Sequence, residues 1–222
     1  ILSGLVGSEM CIRDRYHDDA ITNILLLGVD DYHKNDIGRS DTMMLVSVDT
    51  RHNKLKVTSF MRDLYVAIPG HRSNKLTVAY ADGGGGAEGA KMSVKTIEAN
   101  FRVDIDRYVI IYNSAFDKII NRLGGVEITL TNKKDKRGHT EADLINLYSG
   151  DRNKVRTGTN HLSGAQAHYY ARIRDIGDDF ERTQRQRKVF ESLANGLKSA
   201  SAPTLYSCLL YTSDAADDLL CV

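Results

Sequence analysis

The stretch "NILLLGVD", residues 23–30, decides how the rest of the chain is read. It is a continuous apolar run that stops at Gly-Val-Asp. That is the pattern of a strand covered on both faces. The pattern returns in "TMMLVSVD" at 42–49, and "LKVTSFMRD" at 55–63 follows after the turn-like "TRHNK". The short spacing of the last two predicts a hairpin.

Working outward, "YVAIPG" (65–70) leads to a glycine run, "DGGGG" at 82–86, which reads as a flexible loop. Residues 87–101 have helical spacing and 107–113 read as a strand. Residues 114–125 form a helix with Ser114 as its cap and Gly124-Gly125 as its stop, followed by the strand "VEITL" at 126–130. The polar stretch 131–157 is expected to be a loop with a short helical piece around "EADLINLYS". A helix lies within 162–174 with Ser163 as its cap, and a last amphipathic helix runs from about Asp179 to Ala200. This alternation predicts an α/β protein, a three-layer αβα sandwich with a central mixed β-sheet.

The 222 residues are 41% apolar with a net charge of +1, so bulk electrostatic binding of nucleic acid is excluded. No apolar run approaches the roughly 20 residues that span a bilayer. All three cysteines, Cys11, Cys208 and Cys221, fall near the ends. Residues 1–15 and 208–222 lack a sustained apolar period and are expected to be non-native tails around one domain, 16–207. Setting them aside leaves a body of net charge +4, since 1–15 is neutral and 208–222 carries Asp214, Asp217 and Asp218.

Charged residues gather where the strands end. Asp30 closes the first strand, the position at which open α/β sheets put their ligand crevice. Arg39 and Asp41 precede the second, and Arg62 ends the third. Asp30 and Asp41 are placed to share Mg²⁺, with Mn²⁺ as an alternative, because a hard cation takes one or two carboxylates plus substrate phosphates. The stretch "ARIRDIGDDFERTQRQR" (171–187) is not one solvated run. With Leu193 at the centre of the apolar stripe and about 100° per residue, Asp179, Arg182 and Gln186 fall within roughly 40° of it. Gln184 and Arg187 point away, and Arg185 sits at the margin. An inward guanidinium must be paired, and both Asp179 and a bound phosphate suit it. Arg172 and Arg174 flank Ile173 and face one side only if that segment is extended or frayed. The glycine run lacks the lysine and hydroxyl of a phosphate loop, the histidines lack zinc spacing, and Ser40 has no histidine partner nearby in sequence.

In order, "NILLLGVD", "RSDTMMLVSVD", "TSFMRDLYVAIPG", "KLTVAYADGG", "LGGVEI", "LSGAQAHYYARIR" and "DDFERTQRQ" resemble the LytR-CpsA-Psr family of bacterial cell-envelope phosphotransferases, over about residues 22–200. The resemblance implies transfer of an anionic glycopolymer, of wall teichoic acid or capsular polysaccharide type, from an undecaprenyl-pyrophosphate carrier to the C6 hydroxyl of a peptidoglycan muramic acid. A polyprenyl-pyrophosphate pyrophosphatase and a non-catalytic binder of lipid-linked glycans are the alternatives. The implied location is the extracytoplasmic face of the bacterial membrane, reached through an anchor that is not in this chain, and no nucleic acid is involved. By the same resemblance Asp30 and Asp41 hold the metal, and Asp41, Arg39, Arg62, Arg172 and Arg174 carry catalysis. Arg39, Arg62, Lys75, Arg172, Arg174, Arg182 and Gln186 grip the pyrophosphate, and Asp179 orients the arginines. Two positions depart from the family's pattern: Met61 stands where proline is usual, and His168 where leucine is common.

Overall fold

A computed structural model describes residues 18–30 and 38–199, with the side chain of residue 199 left aside. The expected tails at 1–15 and 208–222 lie outside the described residues. The class is α/β, with a mixed sheet and helices as the sequence predicts. The chain divides into two compact units, one ending at Ile110 and the other beginning at Ile111.

The first unit is built on β1 (Ile21–Val29), β2 (Ser40–Asp49) and β3 (Lys54–Phe60). β6 (Arg107–Tyr112) completes the sheet in the order β3-β2-β1-β6, after the short strands β4 (Tyr65–Val66) and β5 (Asn74–Lys75) pair beside it in sequence. β1–β2 and β2–β3 are antiparallel, and the second pair is the predicted hairpin. β1 is less covered than its composition suggests. Leu25, Leu27 and Val29 are buried while the residues between them are only half-buried, so the strand has one core face. β2 is the strand buried on both faces, over Met43–Val46. β3 is mostly exposed, as suits a sheet edge guarded by Lys54 and Lys56.

One irregularity in the β1–β2 ladder matters below. Gly28 pairs with Thr42 but Val29 pairs with Ser40, so Asp41 is the extra residue of a β-bulge. A bulge bends its strand and re-aims a side chain.

The glycine run is not a loose loop. It is a tight turn between α1 (Ala79–Asp82) and α2 (Gly86–Phe101), closed by Gly86 N donating to the Tyr80 hydroxyl at 2.9 Å. Gly84, Gly85 and Gly86 take positive φ values of 88°, 75° and 53°. A Cβ on Gly89 would lie 2.4 Å from the Tyr80 carbonyl oxygen, so the two helices touch backbone to backbone. What reads in sequence as flexibility is a turn whose positive φ values favour glycine, beside a close approach at Gly89.

The second unit holds α3 (Asn113–Arg122), β7 (Val126–Leu130), α4 (Glu141–Tyr148), β8 (Gly158–Leu162), α5 (Gly164–Arg172) and α6 (Asp179–Ser199). Ser114 does not cap α3. The helix begins at Asn113 with Tyr112 at its N-cap and no side-chain cap, while Gly124 and Gly125 stop it as predicted. β8 has no apolar alternation to betray it, since Leu162 is its one buried residue. It exists because β7 offers a partner, in register from Val126↔Leu162 to Leu130↔Gly158. α5 starts as predicted. Ser163 and Gln166 form a capping box in which the Ser163 hydroxyl accepts from Gln166 N and Gln166 Oε1 accepts from Ser163 N. The core joins Ile120, Val126, Ile128, Leu130, Ile145, Leu162, Tyr170, Ile173, Val189 and Leu193. Gly164 lets α5 meet α3 closely, because a Cβ there would lie 2.2 Å from the Asp117 carbonyl oxygen. Among the described residues, no helix is long and apolar enough to cross a membrane.

Candidate active site

In the first unit, residues far apart in sequence meet at the start of β2. The bulge turns Asp41 so that its Oδ1 accepts from Arg62 Nη1 at 2.7 Å. The Arg62 side chain is 19% exposed and the Asp41 side chain 41%, so the pair sits at the surface with the arginine sunk behind the carboxylate. Arg62 Nε also lies 3.4 Å from Asp63 Oδ2, and Asp63 Oδ1 is 2.8 Å from Lys75 Nζ. Asp41, Arg62 and Lys75, all expected from the sequence, are thus joined through Asp63, which the sequence reading passed over. The hydrogen bond from Lys75, helped by the Arg62 charge, holds the Asp63 carboxyl below the usual aspartate range. Asp63 in turn keeps two cations side by side that would otherwise repel.

Asp30 and Arg39 frame the other side of the bulge. Asp30 N donates to the Arg39 carbonyl at 3.5 Å, just beyond the last ladder pair, and the Arg39 side chain is exposed. Gly38 makes this return feasible: its φ is +74° and an added Cβ would meet the Asp30 carbonyl oxygen at 2.7 Å. Among the described residues, no three of His, Cys, Asp and Glu gather into a set able to hold a metal. Of the two carboxylates that the sequence marks for a metal, Asp30 follows β1 and Asp41 is the bulged residue of β2, with one of its oxygens taken by Arg62. Such oxygen ligands would suit Mg²⁺, which keeps several waters and borrows phosphate oxygens.

In the second unit the arginines of 171–187 separate into three roles. Arg172 ends α5, and Ile173 follows in an extended conformation (ψ 126°) with its side chain buried. Arg172 and Arg174 on either side of it are both exposed, which answers the condition set by their spacing. Arg172 Nη1 lies 3.4 Å from His168 Nε2, and His168 Nδ1 lies 3.0 Å from Asp117 Oδ1. Arg182 is turned inward as helical phase predicts, 5% exposed, and its Nη2 is 2.7 Å from Asp179 Oδ1. Gln186 is half-buried and Gln184 exposed, but Arg187 is half-buried rather than fully in water.

Arg185 is the correction. Phase puts it at the margin, yet it is 4% exposed. Its Nη2 donates to the carbonyls of Ile173 and Ile176 at 2.7 and 3.0 Å, and its Nη1 is 3.7 Å from Glu141 Oε1. Glu141 is itself buried and accepts from Thr131 N and Oγ1 at 2.6 and 2.9 Å. Burial, reinforced by the Glu141 charge and opposed by Arg185, pushes the nearby Tyr170 phenol well above its ordinary value. Arg185 is therefore structural. It fastens the 173–178 connection that carries Arg174. No period in the sequence announces a guanidinium whose partners are main-chain carbonyls.

Comparison with known proteins gives a consistent result. The model of the LytR_cpsA_psr family matches residues 8–215. The chain is 34% identical over 197 residues to the polyisoprenyl-teichoic acid–peptidoglycan teichoic acid transferase TagT of Bacillus subtilis (strain 168), covering 86% of this chain and 57% of that one. It is also 34% identical over 199 residues to the transferase TagU of Oceanobacillus iheyensis, covering 87% and 57% respectively. A solved structure of a LytR-CPS2A-psr family protein, YwtF (TagT), with bound octaprenyl pyrophosphate lipid superposes with a TM-score of 0.67 at 28% identity, over 91% of this chain and 78% of that one. The chain thus spans a little over half the length of both transferases.

Proposed function

The chain belongs to the LytR-CpsA-Psr family, and from that premise we propose that it transfers a teichoic-acid-type glycopolymer from a polyprenyl-pyrophosphate carrier to peptidoglycan. In this reading the carrier is undecaprenyl pyrophosphate and the acceptor is the C6 hydroxyl of a muramic acid. The polymer is a wall teichoic acid or a capsular polysaccharide. The work is done on the extracytoplasmic face of the membrane, where lipid-linked polymer and peptidoglycan meet.

The observation that carries the proposal is the joining of Asp41, Arg62, Asp63 and Lys75 into one network at the β2 bulge. A pyrophosphate diester has a good leaving group, but its negative oxygens repel an incoming hydroxyl. Catalysis is then mostly charge neutralisation and alignment. Arg62 and Lys75 bring charge at one place, and the family resemblance gives Arg39, Arg172, Arg174 and Arg182, with planar forks suited to phosphate oxygens, the same role. Asp179 orients Arg182, and Gln186 adds a neutral donor. The acceptor oxygen attacks the phosphorus bonded to the glycan, the bond to the bridging oxygen breaks, and polyprenyl phosphate departs with that oxygen. Asp41 takes the hydroxyl proton. Mg²⁺, or Mn²⁺ in its place, would be held by Asp30 and Asp41 and would supply charge neutralisation at the phosphates.

The test is a reconstituted reaction with a polyprenyl-pyrophosphate-linked teichoic acid and peptidoglycan oligosaccharides, with the glycan-phosphate followed by mass spectrometry. Phosphodiester-linked peptidoglycan is expected, and Asp41→Ala or Arg172→Ala should lower its formation by about 10²-fold or more. Free glycan phosphate, formed equally with and without peptidoglycan, would make the protein a pyrophosphatase. Binding without turnover would make it a lipid-linked glycan carrier.

A further inference from the structure

We propose that His168 is a positioning residue: with its tautomer fixed by Asp117, it sets the direction of the Arg172 guanidinium. His168 lies on α5 with its side chain 10% exposed. Its two ring nitrogens have different partners, Asp117 Oδ1 at 3.0 Å from Nδ1 and Arg172 Nη1 at 3.4 Å from Nε2. A guanidinium has five donors and no acceptor, so Nε2 accepts. An ionised carboxylate only accepts, so Nδ1 donates. Both contacts demand the same species, the neutral imidazole with its proton on Nδ1.

Local packing favours that arrangement. Phe116, next to Asp117 on α3, meets the imidazole edge-on at 6.0 Å between ring centres and 79° between planes, which fixes the ring's orientation. One turn earlier on α5, the backbone at Gly164 runs against the Asp117 carbonyl, and Gly164 N donates to Asn121 Oδ1 at 2.8 Å. The i,i+4 spacing then brings His168 under Arg172 on one face of the helix. The contact counters the freedom of an exposed arginine at a helix end, where four χ angles are otherwise available.

The proposal rests on the reading above only in so far as Arg172 meets phosphate, and two measurements separate the two ideas. The first is the ¹⁵N spectrum of the His168 ring in the labelled 222-residue chain at pH 8. A protonated Nδ1 and a bare Nε2 are expected; the reverse tautomer overturns the proposal whatever the enzyme does. The second is binding of inorganic pyrophosphate and of a short polyprenyl pyrophosphate, with KM and kcat measured separately. His168→Gln keeps an acceptor near the Nε2 position and should bind within about twofold of the unaltered protein. His168→Asn keeps only the end that faces Asp117, and His168→Leu keeps neither. Both should bind about tenfold more weakly, through KM rather than kcat. The double variant His168→Leu with Arg172→Ala should bind no more weakly than Arg172→Ala alone. Equal losses in Gln and Asn, or additive losses in the double variant, would assign His168 a packing role only. If Arg172→Ala leaves pyrophosphate binding unchanged, the phosphate role of Arg172 falls, and the tautomer alone decides the claim for His168.

Discussion

Arg62 shows what the sequence makes visible at the scale of single residues and what it hides. A charge beside each of three consecutive strands, after the first and third and at the start of the second, marks Asp30, Asp41 and Arg62 for attention. Neither period nor motif says that Asp63 will link Arg62 to Lys75 twelve positions later, because that link depends on where β5 returns. His168 was visible only as a departure from the family's pattern, and its two partners exist only once α3 and α5 are side by side. The role of Arg62 depends on its shape as much as its charge, since Nη1 reaches Asp41 while Nε faces Asp63. Arg62→Lys should therefore keep the fold and the charge but lower kcat/KM by about tenfold or more, one ammonium being unable to serve both carboxylates. Steady-state kinetics on the reconstituted reaction would check this, and wild-type kcat/KM would contradict it.

Helix boundaries with a cap in the sequence were readable at the scale of elements, and packing-dependent elements were not. Ser163 announces α5 through the spacing to Gln166, and α4 begins where Thr140 makes the same box with Asp143. Ser114 has the chemistry of a cap but sits one residue inside a helix that starts without one. β8 is too polar to be seen, and it is held by its ladder to β7 and by a 3.0 Å contact between Thr129 and Thr159. The connection between α5 and α6 is held by Arg185 through two carbonyls and Glu141. Arg185→Ala leaves Glu141 buried without that cation and both carbonyls without that donor. It should destabilise the protein by about 3 kcal/mol, as breaking a buried pair does. Urea unfolding would measure the loss, and a change below about 1 kcal/mol would mean that the connection has other fastenings.

For the whole molecule, acid stability follows from several carboxylates that folding holds below their ordinary values. The Ser163 hydroxyl and then the Asn153 amide lower Asp151; the Thr140 amide and hydroxyl lower Asp143; Lys75 and Arg62 lower Asp63. A depressed folded value gives stability that is present above the unfolded value, about 4, and is lost as pH falls through the folded ones. The thermal midpoint should hold near neutrality and drop steadily below about pH 4; a flat profile down to pH 3 would contradict the assignment. At this scale the α/β class was legible because the apolar runs of β1 and β2 and the capped helices agree with one another. The two-unit division was not, because 16–207 shows no change of composition at residue 110. The bulge at Asp41 has a consequence for stability as well as for the site. Ser40 and Thr42 already pair with consecutive residues of β1, so drawing them together by removing residue 41 would leave both pairs in register. The deleted protein should melt no lower than the original, and even higher, while losing transfer activity altogether. A fall in its midpoint of several degrees would show that the bulge serves the sheet too. On this view residue 41 is a defect that the strand tolerates for the sake of the carboxylate it presents.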